Sequence, residues 1–327
     1  MPDLSQAQFP RENSQDGEFV RQESAFQDRV TADGSSAFPA ESGRYHLYVS
    51  YACPWAHRTM IFRKLKRLDD VIGLTVVDPI RDERGWAFTE RDDCGPDPVN
   101  GFRFLAEAYT ATDPAFSARV TVPVLWDQQS GRIVNNESSQ IIRMLNSEFD
   151  GVGGDPAVDF YPEALRAEID AINERVYAFV NNGVYRAGFA STQKAYEQAF
   201  WQLFAMLDEL EQRLTDSRYL VGDTLTEADW RLFTTLVRFD AVYVGHFKCN
   251  LRRIVDYPNL WAYTRELYQV PGVAETVRMD HIKPHYYVTH RALNPLGVVP
   301  AGPEIDFTEP HGRASRLTPA LREDRDR

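Results

Sequence analysis

The stretch YHLYVSYACPWAHR, residues 45–58, decides the predicted fold. Its first six residues are rich in β-forming side chains and indicate a strand. A helix is predicted to follow directly, because Pro54 suits the first helical position. Apolar residues then recur at helical spacing, namely Ile61, Phe62, Leu65 and Leu68. Residues 73–78 have the composition of a second strand, and the order strand, helix, strand predicts parallel pairing.

The elements further along the chain complete a two-domain pattern. Residues 80–118 are rich in Asp, Gly and Pro and predict a partly irregular insertion. Short strands at 120–126 and 132–134 and a helix at 138–145 are predicted next, which is the order of a thioredoxin fold. The Gly-rich segment 151–156 is a predicted linker, and amphipathic helices follow it. The predicted fold class is therefore α/β plus all-α, with an N-terminal thioredoxin-like domain followed by an all-helical domain.

The predicted domain boundaries follow the same changes in composition. The chain divides into an N-terminal arm of residues 1–43, a thioredoxin-like domain of residues 44–150, an all-helical domain of residues 151–280 and a C-terminal extension of residues 281–327. The extension is rich in Pro and Gly, so we expect packing rather than regular secondary structure to hold it. We predict that it packs near the active site.

The acidic balance of the chain excludes some partners. The 327 residues include 36 basic and 48 acidic side chains, which gives a net charge of −12. Such a field repels phosphate backbones and anionic membranes, so neither nucleic acid nor a membrane is a predicted partner. No apolar run approaches the roughly 18 residues of a membrane span, and residues 1–20 lack the apolar centre of a signal peptide. We therefore predict a cytoplasmic protein.

Cys53 is the predicted nucleophile. It stands where the first strand ends and the first helix begins, so free backbone amides and the positive end of the helix dipole favour its thiolate. Cys94 and Cys249 lack such surroundings and are predicted to be packing residues. Position 56 is Ala, where a dithiol enzyme has its second cysteine. A mixed disulfide on Cys53 must therefore be resolved by an external thiol.

Two further segments suggest a site for a peptide-like thiol. Pro123 lies in the predicted strand 120–126, and a proline cannot donate to the ladder, which leaves the backbone of Val122 free to pair with an extended ligand. An ordinary edge-strand proline is the alternative. Glu137 and Ser138 open the next helix, where free amides and the hydroxyl would hold a carboxylate and Glu137 could pair with an amine. Plain helix capping is the alternative for this pair.

These segments resemble those of a known family. CPWAHR at residues 53–58, VPVLWD at 122–127 and NES at 136–138 are arranged as in cysteine-type glutathione transferases. Additional motifs narrow the resemblance to the glutathionyl-hydroquinone reductases, also called the Xi class, over residues 44–312. These motifs are GW at 85–86, NNGVYRAGF at 181–189, LVRFD at 236–240, HFKC at 246–249 and HYY at 285–287.

The resemblance implies a role for each of seven residues. Cys53 would be the nucleophile, while Tyr185 and Tyr286 would face it and act on an aromatic substrate. The residues implied to hold glutathione are Trp86, Val122, Glu137 and Ser138, the last two at its γ-glutamyl end. The family also implies glutathione as co-substrate, an S-glutathionylated hydroquinone as substrate, and a homodimer formed through the helical domain.

No metal is predicted. His281, His285 and His290 are close enough in sequence to suggest a cluster. Pro284 is expected to interrupt any helix that would place the first two on one face, and no carboxylate or cysteine ligand is evident nearby.

Two other functions remain open from the sequence. An omega-like thioltransferase or dehydroascorbate reductase needs the same cysteine and glutathione site, but not the additional aromatic groups Trp86, Tyr185 and Tyr286. A non-catalytic transferase-like assembly module needs no activated cysteine at all.

Overall fold

The computed structural model describes residues 12–91 and 93–313. Their contacts divide the chain into two compact units. The first contains the four-stranded sheet and consists of Glu12 and the segments Arg21–Asp159 and Glu275–Val299. The second is helical and consists of Asn13–Val20, Phe160–Ala274 and residues 300–313. The first unit therefore includes part of the segment predicted as a C-terminal extension.

The first unit has a thioredoxin-like arrangement. Two short parallel strands, β1 (Val30–Thr31) and β2 (Phe38–Pro39), precede the main sheet. The main strands are β3 (Tyr45–Val49), β4 (Gly73–Val76), β5 (Val124–Asp127) and β6 (Arg132–Asn135). Their order is β4-β3-β5-β6; β3 and β4 are parallel, and β5 is antiparallel to both β3 and β6. The parallel pairing predicted from the sequence is confirmed.

The helices of this unit are α1 (Pro54–Leu65), α2 (Leu105–Thr112), α3 (Ser138–Ser147) and α9 (Met279–Thr289). Helix α1 begins at Pro54 as predicted, because a proline at the first position loses no hydrogen bond there. All five residues of β3 are buried, so the strand that leads into α1 lies in the core of this unit. The start of α1 is thus fixed by a buried strand on one side and a proline on the other.

The insertion at 80–118 is partly irregular, as predicted. It also contains α2, which forms because Leu105, Ala108 and Tyr109 bury one face of a short helix. Two other predictions about secondary structure in this unit were wrong. Pro123 is not inside a strand: the Val122–Pro123 peptide is cis, and β5 begins at the following residue.

The second error concerns the C-terminal extension. Helix α9 runs through Pro284, although a helix break was predicted there. An internal proline removes one helical hydrogen bond. On this helix Ile282 and Tyr286 are buried on either side of the proline, and their packing offsets the loss. Among the described residues, no helix or strand follows α9.

The second unit is built from the predicted amphipathic helices. These are α4 (Arg166–Val176), α5 (Gly183–Gly188), α6 (Gln193–Asp216), α7 (Glu227–Arg238) and α8 (Pro258–Tyr268). The start of α7 has a capping box, in which the Thr226 amide donates to Asp229 Oδ2 at 2.8 Å. Within residues 12–91 and 93–313, no helix has the length and apolar composition required to cross a membrane.

Candidate active site

Cys53 is the N-cap residue of α1. Its Sγ lies 3.5 Å from the carbonyl oxygen of Val122, and its own carbonyl accepts a hydrogen bond from the His57 amide at 3.0 Å. The side chain is partly exposed. The amino end of a helix carries about half a positive charge, which stabilises an anion at the N-cap. The position therefore suits a nucleophile that reacts with a ligand.

The other two cysteines have different surroundings. Burial, reinforced by the nearby Asp78 carboxylate, raises the pKa of Cys94 to about 11. Cys249 is completely buried, and burial raises the pKa of its thiol above the ordinary value. Ala56 is also fully buried and leaves position 56 without a thiol. A second sulfur for Cys53 is therefore absent from its own motif.

The backbone at Val122 is open to a partner. Its carbonyl faces the Cys53 sulfur, whereas its amide has no hydrogen-bond partner within residues 12–91 and 93–313. A free amide and a carbonyl on one residue are what an extended peptide needs to pair with the chain in the manner of a strand. A cysteinyl peptide paired here would lie next to the Cys53 sulfur.

The start of α3 holds a preorganised carboxylate. Glu137 is its N-cap residue, and Oε1 accepts hydrogen bonds from the amide of Ser139 at 3.0 Å and from its hydroxyl at 2.8 Å. Oε2 accepts from the Ser24 hydroxyl at 3.0 Å. Burial alone would raise the pKa of Glu137. These hydrogen bonds and the positive charge of Arg58 outweigh burial, so the pKa lies below its ordinary value.

Ser138, next in the chain, is linked to helix α1. Arg58 Nη1 donates to the Ser138 hydroxyl oxygen at 3.3 Å, and the guanidinium lies 4.5 Å from the centre of the Trp55 ring. Arg58 and Ser138 are both buried. A carboxylate, a hydroxyl and a guanidinium therefore meet at the start of α3. Such a set can hold a zwitterionic amino acid group, because it offers partners for both its amine and its carboxylate.

The N-terminal arm also contributes to this site, and its contribution was not predicted from the sequence. Besides the bond from the Ser24 hydroxyl, the arm is joined to the segment just before α3 by a reciprocal pair of hydrogen bonds. The Phe26 amide donates to Asn136 Oδ1 at 2.9 Å, and the Asn136 amide donates to the Phe26 carbonyl at 3.0 Å. No local pattern in residues 21–28 indicates this role, because the partners lie more than 100 positions away.

Trp86 is held between polar neighbours. Its ring is only 4% exposed and is stacked on the ring of His285, with centroids 5.1 Å apart and planes 10° from parallel. The guanidinium carbon of Arg81 lies 4.5 Å from the centre of the same ring. The indole is therefore fixed by packing, and it belongs to the same compact unit as Cys53.

The two tyrosines predicted for catalysis lie in different units. Tyr286 is on α9 in the first unit and 1% exposed, and its neighbour Tyr287 is 8% exposed. Tyr185 is on α5 in the second unit, where it belongs to an aromatic cluster. The rings around it are Phe19, Phe189, Tyr243 and Phe247, with centroids 5.3–6.5 Å away.

Two arguments against a metal site were wrong. Because α9 is continuous, Pro284 does not separate its histidines, and two carboxylates do lie near His281. The potential ligand atoms of Asp93, Asp280 and His281 are within 4.8 Å of one another. Arg278 forms ion pairs with both carboxylates, and a guanidinium in this position competes with a cation. The absence of a metal stays a prediction.

Comparisons with known proteins agree with this arrangement. Models described as the N-terminal and C-terminal domains of glutathione S-transferase match residues 52–148 and 193–266. The chain is 55% identical to the glutathionyl-hydroquinone reductase PcpF of Sphingobium chlorophenolicum over 290 residues, which are 89% of this chain and 91% of PcpF. The chain belongs to the glutathionyl-hydroquinone reductase family of the glutathione transferase superfamily. The predicted fold class, a thioredoxin-like domain followed by an all-helical one, is thereby confirmed.

Solved structures show the same relationship. The glutathione-bound structure of YqjG from Escherichia coli is 52% identical, has a TM-score of 0.88 and covers 90% of this chain and 97% of its own. The glutathione S-transferase Xi from Phanerochaete chrysosporium is 51% identical, with a TM-score of 0.85 and coverage of 89% and 94%. The family resemblance inferred from the motifs is confirmed.

The surroundings of the three thiols predict an order of reactivity. At pH 7.5 we expect iodoacetamide to label Cys53 first and Cys249 last in the native protein. Cys94 should react slowly, since a thiol with a pKa of about 11 is ionised to on the order of one part in 3,000 at that pH. Peptide mass spectrometry after timed labelling measures this order.

The control is the same labelling in concentrated urea, where all three cysteines should react at similar rates. Labelling of Cys94 as fast as that of Cys53 in the native protein would contradict the assignment of Cys53 as the activated thiol.

Proposed function

We propose that this chain is a glutathione-dependent reductase that removes the glutathionyl group from S-glutathionyl-hydroquinones. The observation that carries the proposal is the position of Cys53 at the start of α1, with its sulfur 3.5 Å from the carbonyl oxygen of Val122. Among the residues that the structure describes, none accepts a hydrogen bond from the Val122 amide, so that amide can pair with a peptide. The names of the reductase relatives support the choice of hydroquinone substrate.

The proposed reaction begins with attack by Cys53. Its thiolate attacks the sulfur that joins glutathione to the ring of the substrate, a sulfur–sulfur bond forms, and the carbon–sulfur bond breaks. The electron pair of the broken bond stays on the ring carbon. If the ring is first in its keto form, this pair becomes part of a stabilised enolate, and protonation gives the free hydroquinone.

A second thiol completes the cycle. The thiolate of another glutathione attacks the glutathionyl sulfur of the mixed disulfide, releases glutathione disulfide and restores the Cys53 thiolate. In sum, one S-glutathionyl-hydroquinone and one glutathione give one hydroquinone and one glutathione disulfide. The buried Ala56 supports this route, since the motif has no second thiol to form an internal disulfide.

The glutathionyl group has a proposed place along this unit. Its peptide backbone pairs with Val122, and its γ-glutamyl end meets Glu137 and Ser138. The carboxylate of Glu137, kept ionised by its hydrogen bonds, would accept a hydrogen bond from the γ-glutamyl amine of glutathione. Arg58 supplies positive charge for the γ-glutamyl carboxylate. We further propose that Trp86 packs against glutathione, as the family resemblance implies.

Tyr185 and Tyr286 are the proposed proton donors and acceptors for the ring. A phenol can both donate and accept a hydrogen bond, so two of them can guide protons between the keto and enol forms. A homodimer formed through the helical domain and a cytoplasmic location also belong to this proposal.

The reaction is tested by product analysis. Glutathionyl-menadiol and excess glutathione are mixed with the protein, and the products are identified by mass spectrometry. We expect free menadiol and glutathione disulfide in equal amounts from the native protein and neither product from Cys53→Ser. Cys249→Ser is the matched control and should retain activity. Turnover by Cys53→Ser, or no turnover by the native protein, would refute the proposal.

The carboxylate at the start of α3 predicts a graded loss of glutathione affinity. In a Cys53→Ser background, Glu137→Gln should weaken binding about 10- to 100-fold, because a charge-assisted hydrogen bond is replaced by a neutral one. Ser24→Ala should weaken it about two- to tenfold, since one bond that orients the carboxylate is lost. Isothermal titration calorimetry measures both changes.

Ser130→Ala is the matched control for Ser24→Ala. Its hydroxyl donates to a different carboxylate of the same unit, Asp127, at 2.6 Å. Unchanged affinity in this control is expected. Equal losses in Ser24→Ala and Ser130→Ala would mean that Ser24 acts on general stability.

The tyrosines distinguish the hydroquinone reaction from the omega-like alternative. Tyr185→Phe and Tyr286→Phe should reduce turnover of glutathionyl-menadiol by about 10²-fold or more. Reduction of a simple mixed disulfide should change little, because a thiolate leaving group needs no proton from a phenol. Tyr287→Phe is the control, because it removes a phenol hydroxyl at the position next to Tyr286. Equal losses in both assays would favour an omega-like thioltransferase.

A further inference from the structure

Helix α9 holds the segment that carries Trp86, here called the Trp86 loop (residues 79–86). His285 Nδ1 lies 2.6 Å from the carbonyl oxygen of Pro79, and the amide of Arg81 donates to the Thr289 hydroxyl oxygen at 3.2 Å. These two contacts join positions that are more than 200 residues apart in the chain. The loop is thus fixed to α9 at two places one helical turn apart.

The hydrogen bond to Pro79 fixes the orientation of the His285 ring. A carbonyl oxygen only accepts, so Nδ1 carries a proton and donates it. With this bond made, the imidazole plane is set, and it lies within 10° of the plane of the Trp86 indole. His285 is buried, so neither contact is shared with bulk water.

The stack also sets where the indole can lie. Offset stacking of aromatic rings contributes beyond the burial of their area, and it depends on the angle between them. The Arg81 guanidinium, 4.5 Å from the centre of the same indole, adds a cation–π contact from within the loop. Together, the two neighbours restrict both rotation and translation of the Trp86 ring.

We propose that His285 is a positioning residue for the glutathione site, acting through Trp86. Its Nδ1–H donates a hydrogen bond to the Pro79 carbonyl oxygen and so fixes the Trp86 loop. Its ring stacks on the Trp86 indole and keeps that indole in the orientation in which it packs on glutathione. The inference rests on the proposed function to the extent that Trp86 contacts glutathione. Loss of His285 therefore weakens glutathione binding only when Trp86 is present.

Two variants separate the two contacts of His285. His285→Asn keeps a donor near the position of Nδ1 but removes the ring that stacks on Trp86. His285→Phe keeps a planar ring but removes the donor to Pro79. In the Cys53→Ser background, each variant should weaken glutathione binding by about three- to tenfold, measured by calorimetry.

The decisive measurement is a double-mutant cycle with Trp86→Ala. If His285 acts through the indole, His285→Asn should have no further effect on affinity once Trp86 is replaced. Additive losses of affinity would overturn the proposal, since they would show that His285 affects the site without Trp86. A thermal denaturation curve for each variant identifies any variant that fails to fold, and His285→Phe, which preserves volume, keeps the cycle measurable.

His46→Asn is the matched control. His46 is also a buried histidine of this unit, with Nε2 2.7 Å from the Thr75 hydroxyl oxygen on the neighbouring strand. Its loss should lower the melting temperature without changing glutathione affinity. A similar loss of affinity in His46→Asn would show that the effect of His285 is one of general stability, and would overturn the proposal.

A readout without ligand separates this inference from the proposed function. With ¹⁵N-labelled tryptophan, the indole signal of Trp86, assigned through Trp86→Phe, should shift in His285→Asn and stay in place in His46→Asn. An unmoved signal would overturn the positioning role whatever the enzyme does. Absence of turnover of glutathionyl-menadiol with a shifted signal would refute the proposed function and leave the positioning role supported.

Discussion

The contact between the Cys53 sulfur and the Val122 carbonyl joins the two chain segments on which the candidate site depends. One is the end of the β3 segment, buried along its length, from which α1 begins. The other is the cis peptide that leads into β5, the strand adjacent to β3 in the sheet. Because both segments are anchored in one sheet, the sulfur and the backbone of Val122 are held at a fixed separation. A ligand that pairs with the backbone is thereby delivered to the nucleophile.

The parts of this arrangement that were predicted correctly are local in sequence. Pro54 marks the first turn of α1 because its fixed backbone angle and missing N–H suit that one position. The position of Glu137 at the start of α3 was predicted because a helix start combines free amides with a polar side chain within three residues. In each case the physical cause and its effect lie within one turn of a helix, so a short window of sequence was sufficient. The family motifs then indicated the chemistry.

The parts that were missed depend on contacts between distant segments. Pro284 gave a local signal for a break, and the buried faces of α9 outweighed it, which no window around residue 284 could show. Ser24 stands in a polar arm with no periodicity, and its role exists only because it meets Glu137. The contacts of His285 could likewise not be predicted from the neighbouring sequence, since its partners Pro79 and Trp86 are distant in the chain. At Pro284, tertiary packing overrides the local propensity, whereas at Ser24 and His285 the local sequence gives no signal of the tertiary contact.

The return of α9 to the sheet-containing unit has a consequence for biosynthesis. A ribosome releases the chain from the amino end, and domains of this size commonly fold as they emerge. Residues 21–159 would leave the ribosome before His285 and Thr289, whose hydrogen bonds hold residues 79–81. They would also leave it before Thr276, whose hydroxyl oxygen lies 2.7 Å from His57 Nε2. Completion of this unit must therefore wait until residues 275–299 have been translated and have left the ribosome.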